Sequence, residues 1–164
     1  MDLIVGADGW ARFGGRRCRA ALGPAGLSAD KREGDGATPI GGFACRMLYF
    51  RPDRLAVPLT GLSKTALTPQ DGWCDAPGDT HYNRPVRLPY PASTESLWRA
   101  DEVYDLIVPL GYNDAPAIPG LGSAIFLHLA RPGYPPTHGC VALALEDLLG
   151  FLALADSRSR VVIG

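Results

Sequence analysis

The stretch YPPTHGCVAL, residues 134–143, sets a histidine, a glycine and a cysteine side by side after two prolines and a threonine. A structural cysteine ordinarily hides in an apolar run, whereas Cys140 follows a turn-forming stretch, where backbone amides can face a substrate. A thiol attacks as its thiolate, and a neighbouring imidazole or a set of backbone N–H dipoles favours that form. Two histidines are candidates for the imidazole. His138 is two residues away, and His128 ends the apolar run SAIFLH, where alternation turns its side chain to the face opposite Leu127 and Leu129. The intervening ARPGYPPT reverses the chain, which predicts a strand-borne base beside a loop-borne thiol. Gly139 lets the backbone approach a substrate closely, so the amides of Gly139 and Cys140 are the expected holders of an oxyanion. The competing reading makes His128 a satisfied core histidine and Cys140 a small buried hydrophobe.

A pair so placed needs a rigid sheet beneath it. The runs LIVGA, RCRAAL, FACRMLYF, VYDLIVPLGY and SAIFLHLA are apolar or alternating, rich in β-branched and aromatic residues and bounded by glycine, proline or aspartate, which predicts strands. EDLLGFLALAD, residues 146–156, alone has helical apolar spacing, with Glu146 and Asp147 in the first turn where the helix dipole favours acids. RVVIG then reads as a closing strand. Residues 51–100 lose the pattern, and about fifty residues are too many for a structureless loop in a compact domain, so this excursion is expected to be ordered and functional.

Length and composition bound the rest. The 164 residues suit one domain spanning 1–164, and 20 glycines and 15 prolines without a period point to a loop-rich, strand-rich protein. Sixteen basic against seventeen acidic side chains argue against a nucleic-acid partner. No apolar run approaches the roughly 20 residues of a membrane span, and the first ten residues read as no signal peptide. Cys18, Cys45, Cys74 and Cys140 are too widely spaced for a small disulfide framework, and a bond among the first three stays open. A zinc site from His81, His138, Cys74 and Cys140 lacks the close paired spacing of such sites, so no metal is expected. PGLGSAI lacks both dinucleotide and phosphate-loop signatures.

GSAIFLHLARPGYPPTHGCVAL resembles the catalytic segment of the YkuD-type L,D-transpeptidases, whose signature is a histidine, a variable spacer and Ser/Thr-x-Gly-Cys: here His128, Thr137, His138, Gly139 and Cys140. DKREGDGATPIGGF is similar to the family's early segment, in which a substrate-side loop leads into Thr-Pro-x-Gly-x-Phe, and LWRADEVYDLIVPLGYND extends the likeness. Two departures mark a divergent branch. The spacer is shorter than in the best-known members, and Ala142 stands where an arginine usually follows the cysteine by two positions.

The resemblance implies a mainly β fold, a YkuD-type β-sandwich with one α-helix after the cysteine. It also implies peptidoglycan transpeptidation on stem peptides through a Cys140 acyl-thioester, with the donor attacked at its third or first residue, His128 as base and the Leu129 carbonyl orienting it. No cofactor is implied. The alternatives are water as acceptor, which makes a carboxypeptidase or endopeptidase, and a non-catalytic wall-binding module. Arg131, in the spacer, is the candidate replacement for the lost arginine as the contact for a substrate carboxylate. Thr137 and His138 beside the thiol, Trp73 and Asn83 in the excursion, and Tyr112 and Asn113 after the strand before His128 complete the expected substrate-binding set; Tyr104 either lines the site or edges the sheet. The substrate implies a periplasmic or cell-envelope location, and the chain is expected to act as a monomer.

Overall fold

Period-two patterning carries the apolar runs of this chain into short strands. The computed structural model describes residues 1–164. In chain order the elements are β1 (Leu3–Val5), β2 (Trp10–Phe13), β3 (Arg16–Ala21), β4 (Leu27–Ser28), β5 (Thr38–Pro39), β6 (Gly41–Ala44), β7 (Leu48–Phe50), β8 (Lys64–Ala66), β9 (Asp71–Cys74), β10 (Arg84–Arg87), β11 (Thr94–Ser96), β12 (Leu106–Pro109), β13 (Phe126–Leu129), β14 (Val141–Leu143), α1 (Leu145–Leu152) and β15 (Arg160–Ile163). The fold is mainly β with one helix, which follows Cys140 after β14, as expected.

Ten strands form one sheet in the order β6-β15-β1-β2-β3-β14-β13-β12-β7-β8. Its two ends share a single core: Leu3, Val5, Val161 and Ile163 pack in the same apolar cluster as Val108, Leu127, Leu129 and Leu143. The sheet therefore curls, and its halves face each other across that core as the layers of a sandwich do. The closing corner lies in FACRMLYF, which the sequence suggests as one strand. It divides into β6 and β7 because Cys45 bridges Leu110, with Arg46 N–H donating to the Pro109 carbonyl and Gly111 N–H to that of Ala44. Edge strand β6 is thereby tied to β12, far from it in the strand order.

Helix α1 buries Leu148, Phe151 and Leu152 against this core and stops at Leu152, short of the expected Asp156. The chain must reverse there to lay β15 parallel to β1, and Asp156 and Ser159 hold the turn through mutual backbone and side-chain hydrogen bonds. Residues 51–100 are ordered, as expected: β8 joins the main sheet, while β10-β9-β11 form a small antiparallel sheet. That small sheet packs through Trp73, whose ring meets Phe126 of β13 edge to face at 5.1 Å. All four cysteines are buried, free thiols.

One backbone contact fixes where the loop 23–37 lies relative to Cys140. A Cβ added at Gly23 would sit 2.1 Å from the Gly36 carbonyl oxygen and 3.2 Å from the Gly139 Cα. Gly23 N–H also donates to the buried Thr38 hydroxyl at 2.9 Å, while the Leu22 carbonyl accepts from Thr137 N–H at 3.0 Å. The loop and the thiol-bearing turn thus touch through bare backbone. Gly23→Ala is expected to destabilise the protein by roughly 2 kcal/mol or more, a fall of about 5 °C in melting temperature for a chain of this size. Thermal unfolding followed by circular dichroism checks it; an unchanged melting temperature refutes the contact.

Candidate active site

Strands β13 and β14 run parallel in the register Leu127↔Val141, His128↔Ala142 and Leu129↔Leu143. Residues 126, 128, 140 and 142 therefore share one face of the sheet, and 127, 129, 141 and 143 the other. Leu127, Leu129, Val141 and Leu143 enter the main core, so His128 and Cys140 turn together to the opposite side. They stand diagonally, one step of two residues and one strand apart, a Cα spacing of about 8 Å from strand rise and separation.

Both side chains line a cavity of about 470 Å³ and are only 6% exposed. The His128 Nδ1 lies 3.0 Å from the Leu129 carbonyl, which can only accept, so Nδ1 carries the hydrogen and Nε2 is left with a lone pair. The Tyr104 ring meets the imidazole edge to face at 5.4 Å. The Cys140 thiol donates to the Ala124 carbonyl at 3.2 Å and accepts from Phe126 N–H at 3.3 Å. Burial pushes the Cys140 thiol up to about 12, despite the Phe126 hydrogen bond, and pushes the His128 imidazole down to about 4, despite the Leu129 carbonyl. The resting pair is a neutral thiol and a neutral imidazole.

Gly139 has φ +121°, and a Cβ there would meet the Ala37 carbonyl oxygen at 2.7 Å, so glycine is required on both counts. Its N–H donates to Thr137 Oγ1 at 3.1 Å, and the Thr137 hydroxyl donates to the Cys140 carbonyl at 2.7 Å. Of the two amides expected at an oxyanion, that of Gly139 is engaged within the turn, and that of Cys140 donates to no protein acceptor. Thr137 braces the turn while lining the cavity.

Arg131 and His138 also reach the cavity. Arg131 is half exposed and makes one 3.3 Å contact to Asp101, a carboxylate that Arg99 already holds with two hydrogen bonds of 2.7 Å. Trp73, Asn83, Tyr112 and Asn113 lie together behind the cavity wall instead of on it. Asn83, at φ +58°, accepts from Trp73 Nε1 and Ala124 N–H and donates to the carbonyls of Tyr112 and Asn113. This knot holds the small sheet against the segment leading into β13.

The wall contains groups that sequence reading did not single out for it, Lys31 and Glu33 from the early loop and Glu95 and Arg99 from the excursion, together with Asp75 of the excursion and Tyr104, which lines the site. Lys31 is buried and donates to Asp35 at 2.5 Å and to the Arg32 carbonyl at 2.7 Å. Glu33 accepts from the Tyr82 hydroxyl at 2.5 Å, which ties the loop to the excursion. The Tyr104 hydroxyl donates to Glu95, whose buried carboxyl is raised above its ordinary range in spite of that bond. The sequence signal for the loop was its likeness to a substrate-side segment; Arg99 lies in LWRADEVYDLIVPLGYND, which shares the family likeness without a role attached, and Glu95 carried no signal.

A profile of the L,D-transpeptidase catalytic domain (YkuD) matches residues 6–163. The chain belongs to the YkuD L,D-transpeptidase family. Among solved structures, that of L,D-transpeptidase 1 from Mycobacterium tuberculosis is similar at 14% identity with a TM-score of 0.42, covering 99% of this chain and 61% of that one. This family member thus spans less than two thirds of the length of that solved relative. Comparison with curated proteins gives no match. No helix in the protein is long and apolar enough to cross a membrane.

The neutral pair sets two pH limits. Unfolded histidine binds its proton near pH 6.5 and folded His128 only near 4, so the unfolded state takes up the proton first and stability falls as pH drops through that window. Unfolded cysteine ionises near 9, whereas Cys140 stays a thiol to about 12, so stability falls again above about pH 9, with the raised Cys18 and Cys45 adding to this limb. Between pH 7 and pH 4.5 the parent should lose roughly 1–3 kcal/mol more than His128→Asn in urea unfolding. Alkylation of Cys140 by iodoacetamide should be slow at neutral pH and climb above about pH 9; a reactivity plateau between about pH 5 and 8 would reveal a resting ion pair.

Proposed function

We propose that this protein is a peptidoglycan L,D-transpeptidase in which Cys140 is the nucleophile and His128 the base, acting as one catalytic domain in the cell envelope. The observation that carries the reading is the shared face of β13 and β14: within an L,D-transpeptidase family member, it turns a thiol and an imidazole into one cavity with Nε2 left to accept a proton. As substrate fills the cavity, the Cys140 proton passes to Nε2 and Sγ attacks the carbonyl carbon of an L-residue in the donor peptide. The carbonyl π pair moves onto oxygen, where the Cys140 N–H and the polarised turn around Gly139 stabilise it. On collapse the C–N bond breaks, the leaving amine takes the proton from His128, and a thioester remains. An acceptor amine then attacks the thioester, gives its proton to Nε2, and expels Sγ, which recovers the proton as a thiol.

The neutral resting pair fits this order of events. A thiolate need exist only while an electrophile is present to receive it, and a water-accessible thiolate would invite oxidation between turnovers. Arg131 is the proposed contact for a substrate carboxylate: its single long bond to Asp101 can be released while Arg99 keeps that carboxylate paired. Thr137 and His138 edge the donor site, and Trp73, Asn83, Tyr112 and Asn113 serve the substrate indirectly by holding the wall.

Cys140→Ala should lower muropeptide turnover more than about 1,000-fold with little change in melting temperature, since one small side chain is lost. His128→Ala should slow acylation of Cys140 by a thiol-reactive β-lactam, followed by intact mass, far more than His138→Ala does. An equal or larger loss in the His138 variant reverses the assignment. Arg131→Lys keeps the charge but loses the planar two-pronged contact, so it should reduce turnover about tenfold on a donor with a free carboxylate and leave the amidated donor unchanged. Equal losses on both donors would remove Arg131 from the carboxylate site.

A further inference from the structure

Strands β15, β1, β2 and β3 send Leu3, Val5, Ala11, Phe13, Cys18 and Val161 into the core. Alternation turns their neighbours Ile4, Trp10, Arg12, Arg17, Arg19 and Arg160 to the outer face. The ladder sets Ile4 opposite Arg12, Arg12 opposite Arg17, and Trp10 opposite Arg19. Arg12, Arg17, Arg19, Arg84 and Arg160 are the arginines that make no ion pair within 4.0 Å, and all but Arg84 stand on this face. The acids at the two ends of β1, Asp2 and Asp8, are each taken by a backbone N–H, from Arg160 and Trp10.

Like charges directly opposite one another destabilise a strand pair, so Arg12 and Arg17 carry a cost in the free protein that an anion would remove. The neighbouring aromatic rings hold these side chains without neutralising them: Arg17 lies over the Trp10 ring at 4.1 Å and Arg19 over that of Tyr134 at 5.0 Å. Apolar surface is set among the charges. Ile4 is 42% exposed and Trp10 36%, with the half-buried Val162 beside Ile4 in the ladder. A soluble polyanion would be served by the arginines alone. Arginines interleaved with exposed isoleucine and tryptophan match a partner in which anionic groups overlie hydrocarbon.

We propose that the outer face of β1, β2 and β3 docks on the surface of an anionic lipid bilayer, with Arg12, Arg17 and Arg19 at headgroup phosphates and Ile4 and Trp10 at the boundary with the acyl chains. The contact is peripheral, made by a sheet face and reversible by salt. It also orients the protein. Ala21 of β3 pairs with Ala142 of β14, so Arg17 and Arg19 lie on the side of the sheet that carries His128 and Cys140. Tyr134, stacked under Arg19, belongs to the return whose Arg131, Pro135 and Pro136 rim the cavity. Docking therefore holds the cavity rim close to the lipid surface.

The test is flotation of the intact protein with vesicles of phosphatidylcholine alone and of phosphatidylcholine mixed with phosphatidylglycerol. Binding to the mixed vesicles should be at least about tenfold tighter and should fade as salt is raised. Arg12→Gln, Arg17→Gln and Arg19→Gln should each weaken it about fivefold and together about 100-fold, whereas Arg84→Gln should leave it unchanged. The double variant Ile4→Ser, Trp10→Ser should lose about tenfold on the mixed vesicles and little on soluble polyphosphate. The triple arginine variant should melt no lower than the parent and turn over soluble muropeptides at the parent rate, since it relieves repulsion and touches nothing in the cavity. Equal binding to the two kinds of vesicle overturns the proposal, as does a loss in Arg84→Gln equal to that in Arg17→Gln. Full vesicle binding by the Ile4, Trp10 variant would make the face a site for soluble polyanions instead, and a matching loss of turnover in the triple variant would make it part of the substrate site; either result overturns the membrane assignment.

Discussion

Everything at this site depends on the parallel pairing of β13 with β14. Parallel neighbours are ordinarily joined by a crossover of a dozen or more residues, commonly a helix. Here residues 130–140 make the return without one, using Pro132, Gly133, Pro135 and Pro136 to bend a chain that forms no regular element. The positive φ of Gly133 and Tyr134 marks the tightest part of that bend. The ladder, not the length of the return, sets the register that puts Cys140 on the same face as His128. A one-residue slip of β14 against β13 would turn the thiol toward the core.

The pairing sets the two groups on one face with no hydrogen bond between them, and burial favours the neutral form of each. Packing converts that into a resting state: Phe126 and Ala124 occupy the thiol, Leu129 occupies one nitrogen, and Tyr104 covers the ring. The loop 23–37, set by contacts of glycine backbone against glycine backbone, closes the opposite side. The resting contacts of the thiol and the imidazole are thus mostly with main-chain groups, which ties their geometry to the sheet.

What the sequence disclosed follows the range of the interactions involved. Period-two patterning marked β1, β3, β12, β13 and β15, since each buries one or both faces in the core, and the spacing of Leu148, Phe151 and Leu152 marked the helix. The small sheet escaped because DGWC, RPVR and TES carry a glycine, a proline and too few apolar residues to alternate; it is held by the Trp73–Asn83 knot and by Phe126, contacts between distant segments. Cys140, His128 and Gly139 were legible because their chemistry lies within a dozen residues. Trp73, Asn83, Tyr112 and Asn113 are expected from sequence as substrate contacts, but they lie off the cavity lining with their polar groups spent on one another, and only a three-dimensional accounting of donors and acceptors separates a brace from a lining. Glu95 and Asp75 are twenty residues apart and meet through a ladder that no local pattern announces.

Ala142 lies alongside His128 in the β13–β14 register and lines the cavity floor. In the relatives this chain resembles, an arginine usually fills that position, so a long cationic side chain is exchanged here for a methyl group next to the imidazole. The vacated volume is a selectivity handle. Any group that reaches this part of the floor meets a methyl group beside the imidazole, so the room next to His128 is set by the side chain at position 142.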